Sequence, residues 1–356
     1  MSFAASQPLL TLLGIELPLV QAPMANVSSP ALAAEVARAG ALGSVALGAS
    51  DAAGARTLLA AARERTSRAL NVNVFCHRPP QAEPAREAAW LERLRPEFRR
   101  FGREPPPRLS EIYRSYVADL EMQRLLLELR PRVVSFHFGL PEAAHVQALR
   151  AQGSVLLGCA TSVAEARILE RGGVHAVIAQ GYEAGGHRGV FDAEAHDDQL
   201  GTMALTRLLV RALPIPVIAA GGIMDGAGIA AALRLGASAA VLGTAFLACP
   251  ESEADPGYRA ALASEAAHHT VMTRAISGRP ARCLANQFTA LTMSVPAEAV
   301  PAYPRAYEAG KALNAAARAA GDGRYGAQWA GQGAPLVRAV PAARLIAELR
   351  EELDRA

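Results

Sequence analysis

Apolar residues in this chain gather into short unbroken runs instead of alternating with polar ones. The runs cover 17–23, 42–47, 69–75, 133–138, 154–160, 176–181, 216–222 and 239–246. A continuous apolar run bounded by Gly, Pro or polar residues suits a strand buried on both faces, as in a parallel sheet. Each run is followed by an Ala/Leu/Arg-rich stretch of helical period, so strands and helices alternate. About eight such units predict an α/β protein built as a TIM (β/α)8 barrel, with an open doubly wound sheet as the rival. Polar and glycine-rich residues close several of the runs, and no GxGxxG follows the first. Both features favour the barrel.

Two segments break the alternation. Residues 77–130 are too long for one crossover helix and contain Pro105-Pro106-Pro107, so they read as an excursion after the third strand. Residues 249–320, beyond the eighth run, read as a helical cap over the carboxyl face. The expected division is therefore a barrel over 1–250, a helical substrate or cap region over 251–320, and a segment over 321–356 packing back on the barrel. The last stretch carries Leu345, Ile346, Leu349 and Leu353 at helical spacing.

Composition narrows the class. Of 356 residues 51% are hydrophobic, yet no run of about 18 apolar residues appears, so no membrane span is expected. Met1 to Leu13 does not read as a signal peptide, and a cytoplasmic setting is the expectation. The net charge is only +3, with arginines and acids alternating along helical stretches, which argues against a nucleic-acid partner. Cys76, Cys159, Cys249 and Cys283 are scattered and form no CxxC pair, so each reads as a small buried residue. No group of His, Cys, Asp and Glu has metal-ligand spacing.

Candidate chemistry lies at the ends of the later strands. The seventh run ends in Gly221-Gly222, with Gly226 and Gly228 opening the next helix, and the eighth contains Val241-Leu242-Gly243-Thr244. In a barrel these adjacent turns form a phosphate-binding corner, because glycine lets backbone N–H groups approach an anion and a helix N-terminus favours negative charge. The sixth run leads into Gln180-Gly181-Tyr182-Glu183-Ala184-Gly185-Gly186-His187-Arg188-Gly189. An imidazole in a glycine-rich loop at the carboxyl face suits proton transfer near neutrality, so His187 is the candidate base or polarising group. Glu183 reads either as a participant or as a carboxylate orienting the loop. His137, in Ser135-Phe136-His137-Phe138-Gly139-Leu140-Pro141, reads either as substrate contact or as support for another residue. His268 and His269 read as surface residues.

Taken together, Gln21-Ala22-Pro23-Met24-Ala25, Asn71-Val72-Asn73, the run from Gln180 to Gly189, Ala220-Gly221-Gly222-Ile223 and Gly243-Thr244 resemble the nitronate monooxygenases, formerly 2-nitropropane dioxygenases. The likeness extends through Phe75-Cys76-His77, Ser135 to Pro141 and Ser277-Gly278-Arg279-Pro280, which look like the bacterial class I enzymes. The resemblance implies FMN held noncovalently at the top of the barrel. Ala22, Pro23 and Met24 would lie along the flavin ring, with Asn71 and Gln180 hydrogen-bonding it. Gly185, Gly222, Val241, Leu242, Gly243 and Thr244 would contact ribityl and phosphate groups. It further implies His187 as the catalytic residue, alkyl nitronates and O2 as the small-molecule partners, and a carbonyl compound and nitrite or a related nitrogen oxide as products, a detoxification role. The oligomeric state is left open between monomer and dimer.

Tyr303, Tyr307 and Lys311 fall at i, i+4 and i+8 of a predicted helix opening near Pro304. Lys311 is the sole lysine in a chain that otherwise uses arginine. A matching set lines the substrate side in the class I family, which implies that these residues bind the carboxylate of a short anionic substrate such as propionate 3-nitronate. The main competing reading is an FMN-dependent enoyl-acyl-carrier-protein reductase using NAD(P)H, which shares the barrel and a similar Gly-Gly-His loop.

Overall fold

The computed structural model of the protein describes residues 6–356, so Met1 to Ala5 of the leader reading lie outside the described residues. The strands, in chain order, are β1 (Leu19–Gln21), β2 (Gly43–Ala46), β3 (Leu70–Phe75), β4 (Val133–His137), β5 (Val155–Ala160), β6 (Ala176–Gln180), β7 (Gly186–His187), β8 (Val217–Ala220), β9 (Ala239–Leu242), β10 (Thr270–Thr273) and β11 (Ala281–Leu284). Eight of them pair in parallel in the order β1-β9-β8-β6-β5-β4-β3-β2, and a bridge between Val20 and Leu42 joins β2 back to β1. The result is a TIM barrel. Each of its strands falls inside one of the apolar runs.

Strand alternation sorts the side chains into two layers. Val20, Val133, Val155, Leu157, Ile218 and Val241 fill the lumen, where Leu9 and Leu13 of the helix Gln7–Leu13 plug the amino-terminal end. Val134, Leu156, Val177 and Val217 point outward and pack on Leu126, Leu149, Leu169 and Leu209 of the surrounding helices. Each fully buried leucine contributes about 1.5–3 kcal/mol, so the two layers carry most of the stability. Ser29, Asp51, Asp119, Ser162 and Asp225 each cap a helix with a side-chain oxygen, fixing where the strand-to-helix turns end.

The excursion after β3 supplies a long helix, Pro84–Arg100, that lies against the helix Arg305–Ala319 through Trp90, Leu94 and Phe98 facing Leu313 and Ala317. The cap is not wholly helical. It contains β10 and β11, an antiparallel pair that extends onto β7. These strands are short and mixed in polarity, so they leave no apolar run to announce them. His268 and His269 are exposed beside them. The helix Ala342–Arg355 inserts Leu345, Ile346, Leu349 and Leu353 between the helices Pro30–Arg38 and Gly226–Arg234. Among the described residues no helix is long and apolar enough to cross a membrane.

Candidate functional site

The carboxyl ends of the strands and the cap enclose a cleft of about 1380 Å³, part of it open to solvent. Its floor carries Asn73, Ser135 and Gln180, inward-facing polar residues of β3, β4 and β6, and its roof carries Tyr113, Tyr303, Tyr307 and Trp329. Ala22, Pro23 and Met24 border it where the chain leaves β1.

His187 stands in the wall between floor and roof. The loop that carries it is stitched down at both ends. Gly186 and His187 form β7 and pair with Arg282 and Ala281 of β11, and Arg188 N–H donates to Pro280 O at 2.8 Å. Gln180 clamps the same loop from the barrel side, donating to His187 O at 3.0 Å and accepting from Gly189 N at 2.7 Å. The buried guanidinium of Arg188 makes a two-pronged pair with Asp197 at 2.8 and 2.9 Å. A backbone held from so many sides fixes the imidazole without help from a ligand.

The imidazole meets Ser277 Oγ at 3.0 Å through Nε2. Its ring centroid lies 5.2 Å from those of both Tyr303 and Trp329. Burial, then the neighbouring His137, Arg279 and His77, push its pKa well below 6.5, so it is neutral at physiological pH. His137 also lines the cleft, and its Nε2 hydrogen-bonds His187 O at 3.1 Å. That contact makes it a support for the His187 backbone. Burial pushes His137 down to about 4, a hydrogen bond with that carbonyl opposing, and His77 down to about 3. His77 is fully buried with neither ring nitrogen partnered.

Glu183 faces away from the chemistry. Its carboxylate accepts from Thr202 N at 3.0 and 2.9 Å and from Thr202 Oγ1 at 2.8 Å, capping the following helix. It is the loop-orienting carboxylate. The glycine corner differs in one respect from its sequence reading. Gly226 N–H is taken by Glu352 at 2.8 Å and Gly228 N–H by Asp225 at 2.8 Å, so that helix N-terminus is already satisfied by carboxylates. What faces the cleft is the turn itself. Gly221 and Gly222 hold φ of 123° and 69°, which a side chain would strain, and Gly243 and Thr244 lie beside them. Gly185 is equally constrained: a Cβ there would sit 2.4 Å from Gly331 N.

Of the remaining sequence candidates, Val241 lines the cleft, whereas Leu242, one position on, points outward into the helix layer. Asn71 lies one inward-facing step below Asn73. It donates to Ser44 Oγ at 3.0 Å, and its Oδ1 is buried without a partner. Tyr303 and Tyr307 are on the wall. Lys311 stands behind it, with Nζ donating to the Tyr113 hydroxyl and lying 5.7 Å from the Tyr307 ring. Sequence reading passed over Tyr113, Asn73, Ser277 and Trp329 as individual site residues. Two of them had an accessible signal: Asn73 repeats Asn71 at the two-residue period of a strand, and Ser277 opens the Ser277-Gly278-Arg279-Pro280 run.

A parallel barrel with a neutral histidine and a glycine-lined corner at its carboxyl face has the architecture of an enzyme. The sequence pattern of the nitronate monooxygenases matches residues 6–352. The chain belongs to the nitronate monooxygenase family, and it is an oxidoreductase. It is 57% identical over 347 residues to the nitronate monooxygenase of Paraburkholderia phytofirmans, covering 98% of this chain and 95% of that one. It is 54% identical over 344 residues to that of Pseudomonas aeruginosa, covering 96% and 97%. A solved structure of nitroalkane oxidase from Streptomyces ansochromogenes superposes with a TM-score of 0.90 at 41% identity, covering 98% of both chains.

Proposed function

We propose that this chain is an FMN-dependent nitronate monooxygenase that oxidises short anionic alkyl nitronates, propionate 3-nitronate foremost, with O2. The observation that carries this reading is a neutral His187 on the wall of a cleft that runs to the backbone turns of Gly222 and Gly243. The cleft fits a mononucleotide on its own geometry. Gly221 and Gly222 at positive φ, with Gly243 beside them, present backbone instead of side chains to the cleft, so an anionic group can approach there. In this reading Ala22, Pro23, Met24 and Gln180 hold the ring, while Gly185, Gly222, Val241, Gly243 and Thr244 hold the ribityl phosphate. Asn71 and Leu242 contribute from behind the wall. FMN held there would supply the redox chemistry between nitronate and O2, with a carbonyl compound and nitrite or a related nitrogen oxide as products.

The protein's own residues supply a base and an anion site. The Ser277 hydroxyl donates to Arg279 O at 3.2 Å, so it receives the hydrogen of His187 Nε2 at 3.0 Å. That leaves the lone pair on His187 Nδ1, which removes the α-proton from a neutral nitroalkane. An anionic nitronate arrives already deprotonated and needs only orientation. Lys311, by donating to the Tyr113 oxygen, turns the Tyr113 hydroxyl proton outward as a donor to the substrate carboxylate. The aromatic roof keeps water from the reacting carbon.

An oxygen electrode tests the reading. The purified FMN-loaded protein should consume O2 on addition of propionate 3-nitronate with no nicotinamide present. No uptake with nitronate, together with rapid NADH oxidation, would favour the acyl-carrier-protein reductase instead.

A further inference from the structure

Arg279 is 5% exposed and does not line the cleft. Its guanidinium sits on the face of Phe138, with the central carbon 4.2 Å from the ring centroid. Nη2 donates to Val190 O, Nε has no partner, and no ion pair involves it among the described residues. The charged groups that face it are otherwise engaged. Glu165 accepts from Thr161 and Phe191, Asp192 accepts from Glu194 N, and Arg274 pairs with Glu194. Glu165 and Asp192 act on the guanidinium only through space, so the charge is buried and in no direct ion pair among the described residues.

Phe138 connects this cation to the site. The ring that carries the guanidinium lies 4.4 Å from His137, 5.9 Å from His187, 6.2 Å from His77 and 6.0 Å from Tyr303, centroid to centroid. Phe138 holds a φ of 72°, a conformation that a bulky residue adopts only when its surroundings impose it. A lone cation in a poorly solvated wall costs free energy unless an anion shares its field.

We propose that Arg279 is a positioning residue whose unpaired charge makes the cleft electropositive, so that it selects the anionic nitronate. The inference rests on the nitronate reading above and gives that site its charge preference. Because burial pushes Arg279 down only to about 10, the charge persists across the working range. Like-charge repulsion then acts on His187, His137 and His77 together.

Nitrate, a planar anion of the size of a nitro group, is the probe, titrated calorimetrically into the FMN-loaded protein. Its affinity should be flat from pH 6 to 8.5 in the wild type, because arginine does not titrate there. A decline of about tenfold per pH unit would assign the anion to an imidazolium and overturn the proposal. Arg279→Met should weaken nitrate binding and raise the nitronate KM by about tenfold or more, while the KM for neutral nitroethane is unchanged. Its acidic limb in kcat/KM for nitroethane should move up, because one of the like charges beside His187 is removed. Arg279→Lys should restore nitrate affinity to within about threefold. Nitrate binding unaltered in Arg279→Met, or Arg279→Lys as impaired as the methionine variant, would overturn it. Should the wild type bind nitrate as described yet fail to oxidise nitronates, the functional reading falls while the charge assignment stands.

Discussion

The imidazole of His187 lies 3.0 Å from the hydroxyl of Ser277, a residue ninety positions away in the cap sheet. That distance joins the barrel half of the site to the cap half, and in the proposed function it selects which ring nitrogen acts as base. The β7–β11 pairing and the Arg279 carbonyl set it, so the imidazole is positioned without a substrate.

His187→Asn separates the two kinds of substrate. Turnover of neutral nitroethane, which needs a proton removed, should fall by about 10²–10⁴-fold. Turnover of the preformed ethyl nitronate should fall far less. Steady-state kcat/KM for both substrates measures it, and undiminished nitroethane turnover would exclude the base role.

The pH dependence has a definite sign. With its pKa held well below 6.5, His187 stays neutral as pH falls from 8 to 6, so kcat/KM for nitroethane should not decline over that interval. Stability behaves differently. His77 and His137 titrate near 6.5 in the unfolded chain and at about 3 and about 4 in the folded one. Below pH 6.5 the unfolded chain takes up protons that the folded chain refuses. Stability is then fully present above that pH and is lost as pH falls toward 4. Thermal melts should show a constant Tm from pH 7 to 8 and a decline below about 6.

Asp197→Ala should destabilise the protein by about 3–5 kcal/mol, because it strands the buried Arg188 guanidinium. Urea unfolding checks the stability, and the accompanying fall in kcat reports the loosened His187 loop. A loss under about 1 kcal/mol would show that the pair is solvated and unimportant.

Lys311→Met should raise the KM for propionate 3-nitronate about tenfold or more and leave that for an uncharged-tail nitronate nearly unchanged. Equal effects on both would remove Lys311 and Tyr113 from carboxylate binding.

The barrel was legible because each of its strands is an uninterrupted apolar run, and a parallel strand covered on both faces leaves that mark. The candidate site was legible where it is built from those strand ends, as with Gln180 and Val241, and where a glycine-rich loop follows one, as with His187. It was obscure where separate loops converge. Tyr113 comes from an irregular stretch after the Pro105-Pro106-Pro107 break, Trp329 follows the cap helix, and Ser277 sits between two short strands. No local pattern records that such residues meet. Asn71 and Leu242 show the remaining limit: a motif names a stretch of chain, while the two-residue pleat decides which side chain reaches the cleft. The helix opened by Gly226 illustrates the same point, since its capping by Glu352 depends on a residue 126 positions later.

Gly222→Val should reduce flavin retention, because it places a branched side chain at a φ of 69° and covers the backbone turn. The FMN dissociation constant should rise by at least about tenfold, read from cofactor fluorescence on dilution. Unchanged retention would move the phosphate elsewhere.

An absorbance spectrum of the purified wild-type protein bears most directly on the whole account. Flavin bands should be present in the protein as isolated, should bleach on anaerobic addition of propionate 3-nitronate, and should return when air is admitted. A protein without flavin absorbance that also fails to bind added FMN, or one whose flavin ignores nitronate and bleaches with NADH, would contradict it.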